Sequence, residues 1–402
     1  MTERLKALLL ENIHRDAVSS LESSGIEVST RPGALDEEQL TAALEGVQLL
    51  GIRSGTRVTE AVLSRAPALL AVGAFCIGTN QVDLAAAAER GVAVFNAPFS
   101  NTRSVVELAI AEMISLTRRL TERNEALHGG VWDKSSKGAH EMRGRTLGIV
   151  GYGNIGSQLS VLAEALGMRV VFYDTADKLA LGNARRTESL EELLEVAHVV
   201  TLHVDGRIGN AGFFGERQFA AMRPKAVFLN LSRGFVVDYA TLATHLKSGH
   251  LAGAAVDVFP VEPMAQGDPF ESELRGLPNV ILTPHVGGST EEAQQDIGGF
   301  VSGKLRDYVT TGATALSVNL PQTTLDERSG THRLAHLHTN TPGVLATVNG
   351  VLAEHGVNVE AQVLATRGQQ GYLLTDVASD YAPDVVHALQ AMTQTTRLRV
   401  LS

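Results

Sequence analysis

The stretch "LGIVGYGNIG", Leu147 to Gly156, decides how the rest of the chain is read. Gly151, Gly153 and Gly156 stand at G-x-G-x-x-G spacing directly after the apolar run Thr146 to Val150. The first glycine permits a tight turn and the second lets a pyrophosphate approach the backbone. The third lets the next helix pack closely, so that its N-terminal N–H groups face the anion. Such a loop also closes ordinary turns that hold no nucleotide. The next two segments of the chain separate these possibilities. "SQLSVLAEALG" has a helical pattern, and "MRVVFYD" is a strand that ends in Asp174. An acid at that place accepts hydrogen bonds from the adenosine ribose and repels a 2′-phosphate. Thr175 and Ala176, not arginine, come next, so the pattern points to NAD rather than NADP.

Outward from this loop, strand-like and helix-like segments alternate in both directions. "LKALLLEN", "VQLLGIRSGT" and "LLAVGAFCIGTN" read as buried strands with their loops, and "RDAVSSLESSG" and "TEAVLSRAP" as helices stopped by glycine or proline. "NTRSVVELAIAEMISLTRRLTERNEAL" predicts one long helix from Ser104 to Leu127. The series from "RTLGIVGYGNIG" runs on to "NVILTPHVGGST", and a further helical segment comes after it. This repetition predicts an α/β protein with doubly wound parallel sheets. The pattern breaks at Asn319 to Gly330, which reads as a linker. The remaining residues restart as strand, helix, strand, strand, helix, strand, enough for a small α+β module.

Three later segments place polar residues just after an apolar strand. "AVFLNLSRG" carries Arg233, "GAAVDVFPVEP" carries Asp257 and Glu262, and "NVILTPHVGG" carries His285. Ligands of open parallel sheets collect outside the carboxyl ends of the strands, so all four residues are expected at the nucleotide crevice. Their chemistry suits hydride transfer from a 2-hydroxy acid. Arg233 offers a bidentate fork to a substrate carboxylate. His285 takes the hydroxyl proton, and Glu262 in contact with it tunes the base. Singly, each has a plainer reading: a capping histidine, a surface arginine, an acidic turn. Their joint position favours catalysis.

The composition narrows the alternatives. The chain has 402 residues, 44% hydrophobic and 19% charged, with a net charge of -10. That length suits two or three domains with well-filled cores. The acidic balance argues against nucleic acid as a partner, since that needs a basic face. The single cysteine, Cys76, allows no intrachain disulfide and no cysteine-based metal site, and it reads as a small core hydrophobe. No metal is expected. The N-terminal run is short, with acids on both sides, and no stretch has the length of a membrane span. No membrane partner is expected, and the cytoplasm is the default location.

"GYGNIG", "NLSRGFVVD", "AAVDVFPVEP" and "LTPHVGGST" together resemble the D-isomer-specific 2-hydroxyacid dehydrogenases. "FCIGTNQVDLAAAAERGVAVFNAPFSNTRSVVELAIAEM" is similar to the members that oxidise 3-phosphoglycerate to 3-phosphohydroxypyruvate at the start of serine synthesis. The resemblance implies a discontinuous flavodoxin-like substrate lobe (1–98 and 287–318) and a Rossmann-type NAD lobe (99–286). It assigns catalysis to Arg233, Glu262 and His285. It places Asn154, Ile155, Asp174, Leu231, Ser232, Asp257, Gly287 and Gly288 at NAD-contacting positions, beside the loop glycines Gly151, Gly153 and Gly156. For the substrate it implies Arg53, Lys134 and Gly78, the last in a loop whose amides hold the carboxylate. It also implies a homotetramer. The chain departs at Gly55 and Pro32, where relatives have cations, which leaves Arg57 or Arg31 for the phosphate. It departs again at Asp205 and Asn210, where Asn210 is expected to cap the next helix. Reduction of another 2-oxo acid such as 2-oxoglutarate, and a non-catalytic NAD sensor, are the competing readings.

The last segment, 331–402 after a linker at 319–330, resembles the βαββαβ ACT domain through "HLHTNTPGVLATVNGVLAEHGVNVEAQ". Asn340 and Thr341 are expected to cap its first helix, with Pro342 in the first turn. His338, Asn340 and Asn358 match positions that hold serine, and their amide and imidazole groups suit an amino acid. The alternative is that the asparagines only cap and turn. Serine bound between two copies would bias lobe closure through Gly287 and Gly288. His336 and His338 alternate along one strand and so share a face.

Overall fold

The computed structural model describes residues 4–263, 267–326, 331–378 and 382–401. The chain divides into two units, Met1–Pro98 with Gln294–Ser402, and Phe99–Ala293.

In the first unit, β1 (Lys6–Leu9), β2 (Glu27–Thr30), β3 (Leu49–Ile52), β4 (Ala71–Ala74) and β5 (Ala93–Asn96) form a sheet of order β2-β1-β3-β4-β5. Every pairing is parallel. This is the flavodoxin-like order. β1, β3, β4 and β5 are almost continuously buried, as strands covered on both faces must be. The helix Glu291–Thr311 contributes Ile297, Val301, Leu305 and Tyr308 to their core.

In the second unit, β6 (Thr146–Val150), β7 (Arg169–Tyr173), β8 (Arg185–Arg186), β9 (Val199–Leu202), β10 (Val227–Asn230), β11 (Gly253–Val256) and β12 (Val280–Leu282) form one parallel sheet. Its order is β12-β11-β10-β9-β6-β7-β8. The chain winds outward from β6 to β7 and β8, then returns to β9 on the other side. The topological switch point therefore lies between β6 and β9, where doubly wound sheets bind nucleotides.

The helix expected from Ser104 to Leu127 is broken into Thr102–Thr117 and Leu120–His128. Arg119 between them has φ 54°, and its guanidinium holds Glu122 at 2.7 and 3.0 Å. The first piece buries Val105, Val106, Ala109, Met113 and Leu116, whereas the second buries nothing. No core contact holds the two in line.

The terminal module forms an antiparallel sheet of β13 (Thr331–Thr339), β14 (Val359–Arg367), β15 (Gln370–Ala378) and β16 (Thr395–Leu401), in the order β14-β15-β13-β16. The helices Val344–Glu354 and Pro383–Gln390 supply Val344, Val348, Leu352, Val385 and Leu389 to one core with Leu334. The first helix begins after Gly343, which has φ 91°, with no side-chain cap. Asn340 and Thr341 do not cap it, and Pro342 lies outside it. The left-handed glycine turns the chain into the helix and takes the place expected for a polar cap.

The other face of its central strands, β13 and β15, is not solvated. Ala335, Leu337, Tyr372, Leu374 and Leu401 join the core of β1, β4 and β5. Arg399 Nη2 donates to Tyr308 O at 3.1 Å, Arg333 Nη1 to Thr311 O at 3.0 Å, and Tyr372 Oη to Gly312 O at 2.7 Å. These carbonyls lie at the C-terminus of the helix Glu291–Thr311, whose dipole favours cations there. Arg333 is 1% exposed, and its fork meets Asp376 at 2.6 and 2.7 Å. A buried charge persists only when paired and fully hydrogen-bonded. The segment read as a linker is pinned at its start. Asn319 donates to Val92 O at 2.8 Å and accepts from Val94 N at 2.9 Å, and Leu320 is fully buried. The side-chain amide completes the edge of β5, which polarity alone does not reveal. The end of that segment, 327–330, lies outside the described residues. No helix among the described residues is long and apolar enough to cross a membrane.

Glu112, on Thr102–Thr117, is 3% exposed with both carboxyl oxygens unpartnered. Burial, then the charge of Asp257, pushes its carboxyl up to about 8. Between the ordinary carboxylate range and pH 8 the unfolded chain holds fewer protons here than the fold does. Stability therefore falls as pH rises through that window. Glu112→Gln removes this slope: its gain in melting temperature over the parent is expected to be larger at pH 8 than at pH 5. In free energy of unfolding the gains at the two pH values differ by on the order of 3 kcal/mol. Equal gains at both pH values would refute the assignment.

Candidate functional site

The glycine loop closes on the backbone of its neighbours. Gly151 has φ 93°, and a Cβ there would stand 2.6 Å from His203 O, in the loop after β9. A Cβ on Gly156 would strike Gly151 O. Gly153 is the N-cap of the helix Asn154–Ala165 and offers no side-chain acceptor. The first N–H groups of that helix, at Asn154 and Ile155, are therefore left for an outside anion. Asp174, at the end of β7, accepts Tyr152 N–H at 2.8 Å and Ala176 N–H at 2.8 Å. Each carboxylate oxygen keeps a lone pair for a ribose hydroxyl. These residues fit a dinucleotide.

Arg233 lies just after β10, and Asn230, which is fully buried, builds its turn. The Asn230 side chain accepts from Ser232 N at 3.1 Å and Ser232 Oγ at 2.7 Å, and donates to Arg233 O at 3.1 Å. It also donates to Tyr239 Oη, which in turn donates to Val258 O at 2.6 Å. The strand ends of β10 and β11 are thereby locked together. Leu231 and Ser232 are buried in this turn. Asn230 went unread in the sequence, although a lone amide at the end of "VFLN" was its signal.

His285 Nδ1 lies 2.9 Å from Glu262 Oε2 and 3.1 Å from Oε1. Burial raises the Glu262 carboxyl, but the hydrogen bond and charge of His285, the Phe259 N–H and the Arg233 charge outweigh it. The carboxyl is held below its ordinary range. With the carboxylate on Nδ1–H, Nε2 carries the free lone pair, the tautomer a proton acceptor needs. A cavity of about 610 Å³ opens beside this pair, lined by Phe259, Glu262, Phe270, Leu282 and His285 among others.

Asp257, 2% exposed, organises the loops beyond β11 and β12. Its carboxylate accepts Thr283 Oγ1 at 2.6 Å, Val286 N at 2.8 Å and Gly287 N at 2.8 Å. His285 sits inside this clasp at φ 54°, its own N–H on Asp257 O at 2.8 Å. A left-handed backbone at a non-glycine residue is costly and persists only where its surroundings over-determine it. Gly287 is buried against Asp257 and Val105, and Gly288 against Asn101.

In the first unit, Arg53 and Gly78 lie in the loops after β3 and β4. Gln81 Nε2 joins them, donating to Arg53 O at 2.8 Å and Gly78 O at 3.2 Å. Cys76 is half-buried and donates to Gly78 O at 3.2 Å, so it belongs to this loop and not to the core. Glu11 accepts three backbone N–H groups of the Arg53 loop: Arg53 at 3.1 Å, Gly55 at 2.8 Å and Thr56 at 2.9 Å. Nothing in the sequence marks Glu11, whose partners are more than forty residues away, or the reach of Gln81 to Arg53. Arg31 and Arg57 are exposed, and so is Lys134, which forms no ion pair among the described residues. Asn210 does not cap a helix. It donates to Asp205, which also binds Arg207 at 2.7 Å, and the next α-helix, Glu216–Ala221, has Gly215 as its N-cap. A local acid outcompetes helix N–H groups five residues away.

In the terminal module, His338 is 3% exposed, with Nδ1 on Thr339 O at 2.9 Å and Nε2 unpartnered. Asn340 is exposed and donates to Gly368 O at 3.2 Å, and Asn358 is exposed. No hydrogen bond joins these three. His336 Nε2 meets Thr395 Oγ1 at 2.8 Å, and burial, then the charge of His338, pushes its imidazole down to about 4.

Residues 110–287 match the family described as D-isomer specific 2-hydroxyacid dehydrogenase, NAD binding domain, and residues 334–397 match the AHAS small subunit-like ACT domain. The chain is 48% identical over 399 residues to a D-3-phosphoglycerate dehydrogenase of Dictyostelium discoideum, covering 99% of this chain and 98% of that one. It is equally 48% identical over 402 residues to the D-3-phosphoglycerate dehydrogenase of Escherichia coli K12, again covering 99% and 98%. Among solved structures, a D-2-hydroxyisocaproate dehydrogenase superposes with a TM-score of 0.70 at 26% identity, over 78% of this chain and all of that one.

Glu11→Ala leaves three N–H groups of the Arg53 loop without their acceptor. We expect the KM for a phosphorylated 2-hydroxy acid to rise about tenfold with kcat nearly unchanged. Steady-state kinetics reads this split, and a fall in kcat alone would contradict it.

Proposed function

Because this chain belongs to the D-isomer specific 2-hydroxyacid dehydrogenases, we propose that it oxidises 3-phosphoglycerate to 3-phosphohydroxypyruvate, using the site residues described above. It is an NAD-dependent dehydrogenase. The observation that carries the mechanism is the 2.9 Å contact of His285 Nδ1 with Glu262. It leaves Nε2 facing outward as a base, on a backbone that Asp257 fixes.

In this reading Arg233 takes the substrate carboxylate through its planar fork, and the Gly78 loop adds backbone N–H groups. Arg53 takes the phosphate, and Glu11 and Gln81 hold its loop in shape. Lys134 is the second cation proposed for the substrate. His285 Nε2 accepts the proton of the 2-hydroxyl, and Glu262 stabilises the imidazolium that forms. NAD supplies the acceptor for the hydride from the same carbon. Gly151, Gly153, Asn154, Ile155 and Gly156 would hold its pyrophosphate and Asp174 its adenosine ribose. Leu231, Ser232, Asp257, Gly287 and Gly288 would contact the rest of the cofactor. Gly287 and Gly288 act as the hinge.

Regulation and assembly extend the proposal. An ACT domain is a small-molecule-binding module, and serine, the amino acid made from this product, is the proposed effector. His338, Asn340 and Asn358 are its proposed contacts, and the unpartnered His338 Nε2 supports this reading. A homotetramer is proposed. In support, Leu120 and Leu127 are more than half exposed and Trp132 is 76% exposed on one continuous segment. Such an apolar run suits burial by another copy.

His285→Ala is expected to lower kcat by about a thousandfold or more while NADH binding, read by fluorescence, persists. Glu262→Gln is expected to lower kcat less. Oxidation of NADH with phosphohydroxypyruvate, hydroxypyruvate and 2-oxoglutarate, each with and without serine, tests the substrate and the effector together. Preference for 2-oxoglutarate would overturn the substrate. Undiminished rates at about millimolar serine would overturn the effector. Full turnover in His285→Ala would overturn the mechanism.

A further inference from the structure

Outside the site, the amino edge of the cofactor sheet carries a row of cationic side chains without ion pairs among the described residues. Parallel strands bring all their amino ends to one edge, opposite the glycine loop. Thr146 of β6 pairs with Arg169 of β7, and Arg169 N donates to Arg145 O at 2.9 Å. His198 immediately precedes β9, its N–H on Thr146 O at 2.9 Å. Val227 of β10 donates to His198 O at 3.0 Å, and the turn before it starts at Arg223. Arg169, Arg145, His198 and Arg223 thus stand at the starts of four adjacent strands.

None of the four forms an ion pair among the described residues, in a chain of net charge -10. The Arg169 side chain donates to the loop carbonyl of Gly144, at 3.2 Å. His198 Nδ1 accepts Thr146 N–H at 3.1 Å, so Nε2 carries its proton and presents a donor. His198 is held below its ordinary range by burial first, then by Arg223, Arg145, Arg169 and His140. Arg145 and His140 are likewise lowered, by burial and by Arg223 and Arg145 respectively. No carboxylate offsets any of the three.

The helices Asn154–Ala165, Leu190–Val196 and Glu216–Ala221 end just before Arg169, His198 and Arg223, and their dipoles offset part of the row's charge. The last carbonyls of Asn154–Ala165 are taken by backbone N–H groups of Leu166, Gly167 and Met168. No side chain of the row donates to a helix carbonyl. Mutual repulsion of this kind is relieved by an anion. Four strands span three spacings, about 14 Å, which is wider than one phosphate and suits a chain of linked phosphates. Guanidinium forks favour phosphate oxygens.

We propose that Arg145, Arg169, His198 and Arg223 form a binding site for a small polyphosphate anion, separate from the dinucleotide site. Binding draws a proton onto His198, so affinity rises as pH falls. The charged groups that face His198 are Arg223, Arg145, Arg169 and His140, and all act in the same direction.

The test is calorimetric titration of inorganic tripolyphosphate into the full-length enzyme saturated with NADH, which keeps the cofactor's own pyrophosphate site occupied. Buffers of different ionisation enthalpy read proton uptake at pH 6.5 and pH 8. Submillimolar binding, tighter at pH 6.5, is expected. Arg145→Ser with Arg223→Ser should weaken it about tenfold or more, and His198→Asn should abolish the proton uptake. The arginine pair replaced by lysine keeps the charge and should retain part of the affinity, whatever serine does to the fold. NADH turnover is expected to be unchanged in all variants. ATP in place of tripolyphosphate asks whether a nucleotide carries the phosphates. Equal binding by citrate would show a general polyanion surface and overturn the assignment. So would absence of heat at about 5 mM tripolyphosphate, or unchanged affinity in the serine double variant.

Discussion

The carboxylate of Asp257 is the constraint on which the candidate site depends. It is buried, and it accepts one hydroxyl and two backbone N–H groups from the segment just after β12. Those bonds fold residues Thr283 to Gly287 around the end of β11. They hold His285 in a left-handed backbone it would not adopt alone. Without that clasp the imidazole has no reason to meet Glu262. Charge-assisted bonds to backbone N–H groups are the strong class of hydrogen bond, which is why one side chain can hold a five-residue loop.

A second layer of polar side chains, buried or half-buried, does for the other loops what Asp257 does for this one. Asn230 ties the Arg233 turn to the Tyr239 hydroxyl and the end of β11. Glu11 fills the amide cradle of the Arg53 loop, and Gln81 joins that loop to the Gly78 loop. Each of these side chains is an amide or an acid that satisfies main-chain groups. Buried backbone groups must be paired, and loops at strand ends lack ladder partners. The functional side chains therefore sit on loops whose hydrogen bonds are closed from beneath.

The terminal module obeys the same rule. Its central strands β13 and β15 are buried on both faces: helices cover one side, and the core of the first sheet meets the other. The penalty for burying Arg333 is offset by Asp376 and by the free carbonyls at a helix C-terminus. The burial of His336 and His338 belongs to this packing. Their alternation on one face was legible from strand period alone, but whether that face met water was not.

The sequence by itself determined the α/β alternation, the glycine loop with its acid at Asp174, and the convergence of Arg233, Asp257, Glu262 and His285 on strand ends. These come from local period and spacing, which act over a few residues. Only the tertiary structure decided the break at Arg119, the anchoring of Asn319, the left-handed start at Gly343 and the turn of Asn210 toward Asp205. It also decided the parts played by Glu11, Gln81 and Asn230. Each of these rests on a hydrogen bond or a burial whose partner is chosen by where the chain returns. A polar residue in a short stretch looks the same whether it caps a helix, closes a distant loop or faces solvent. Burial and the demand that every buried polar group find a partner make that choice.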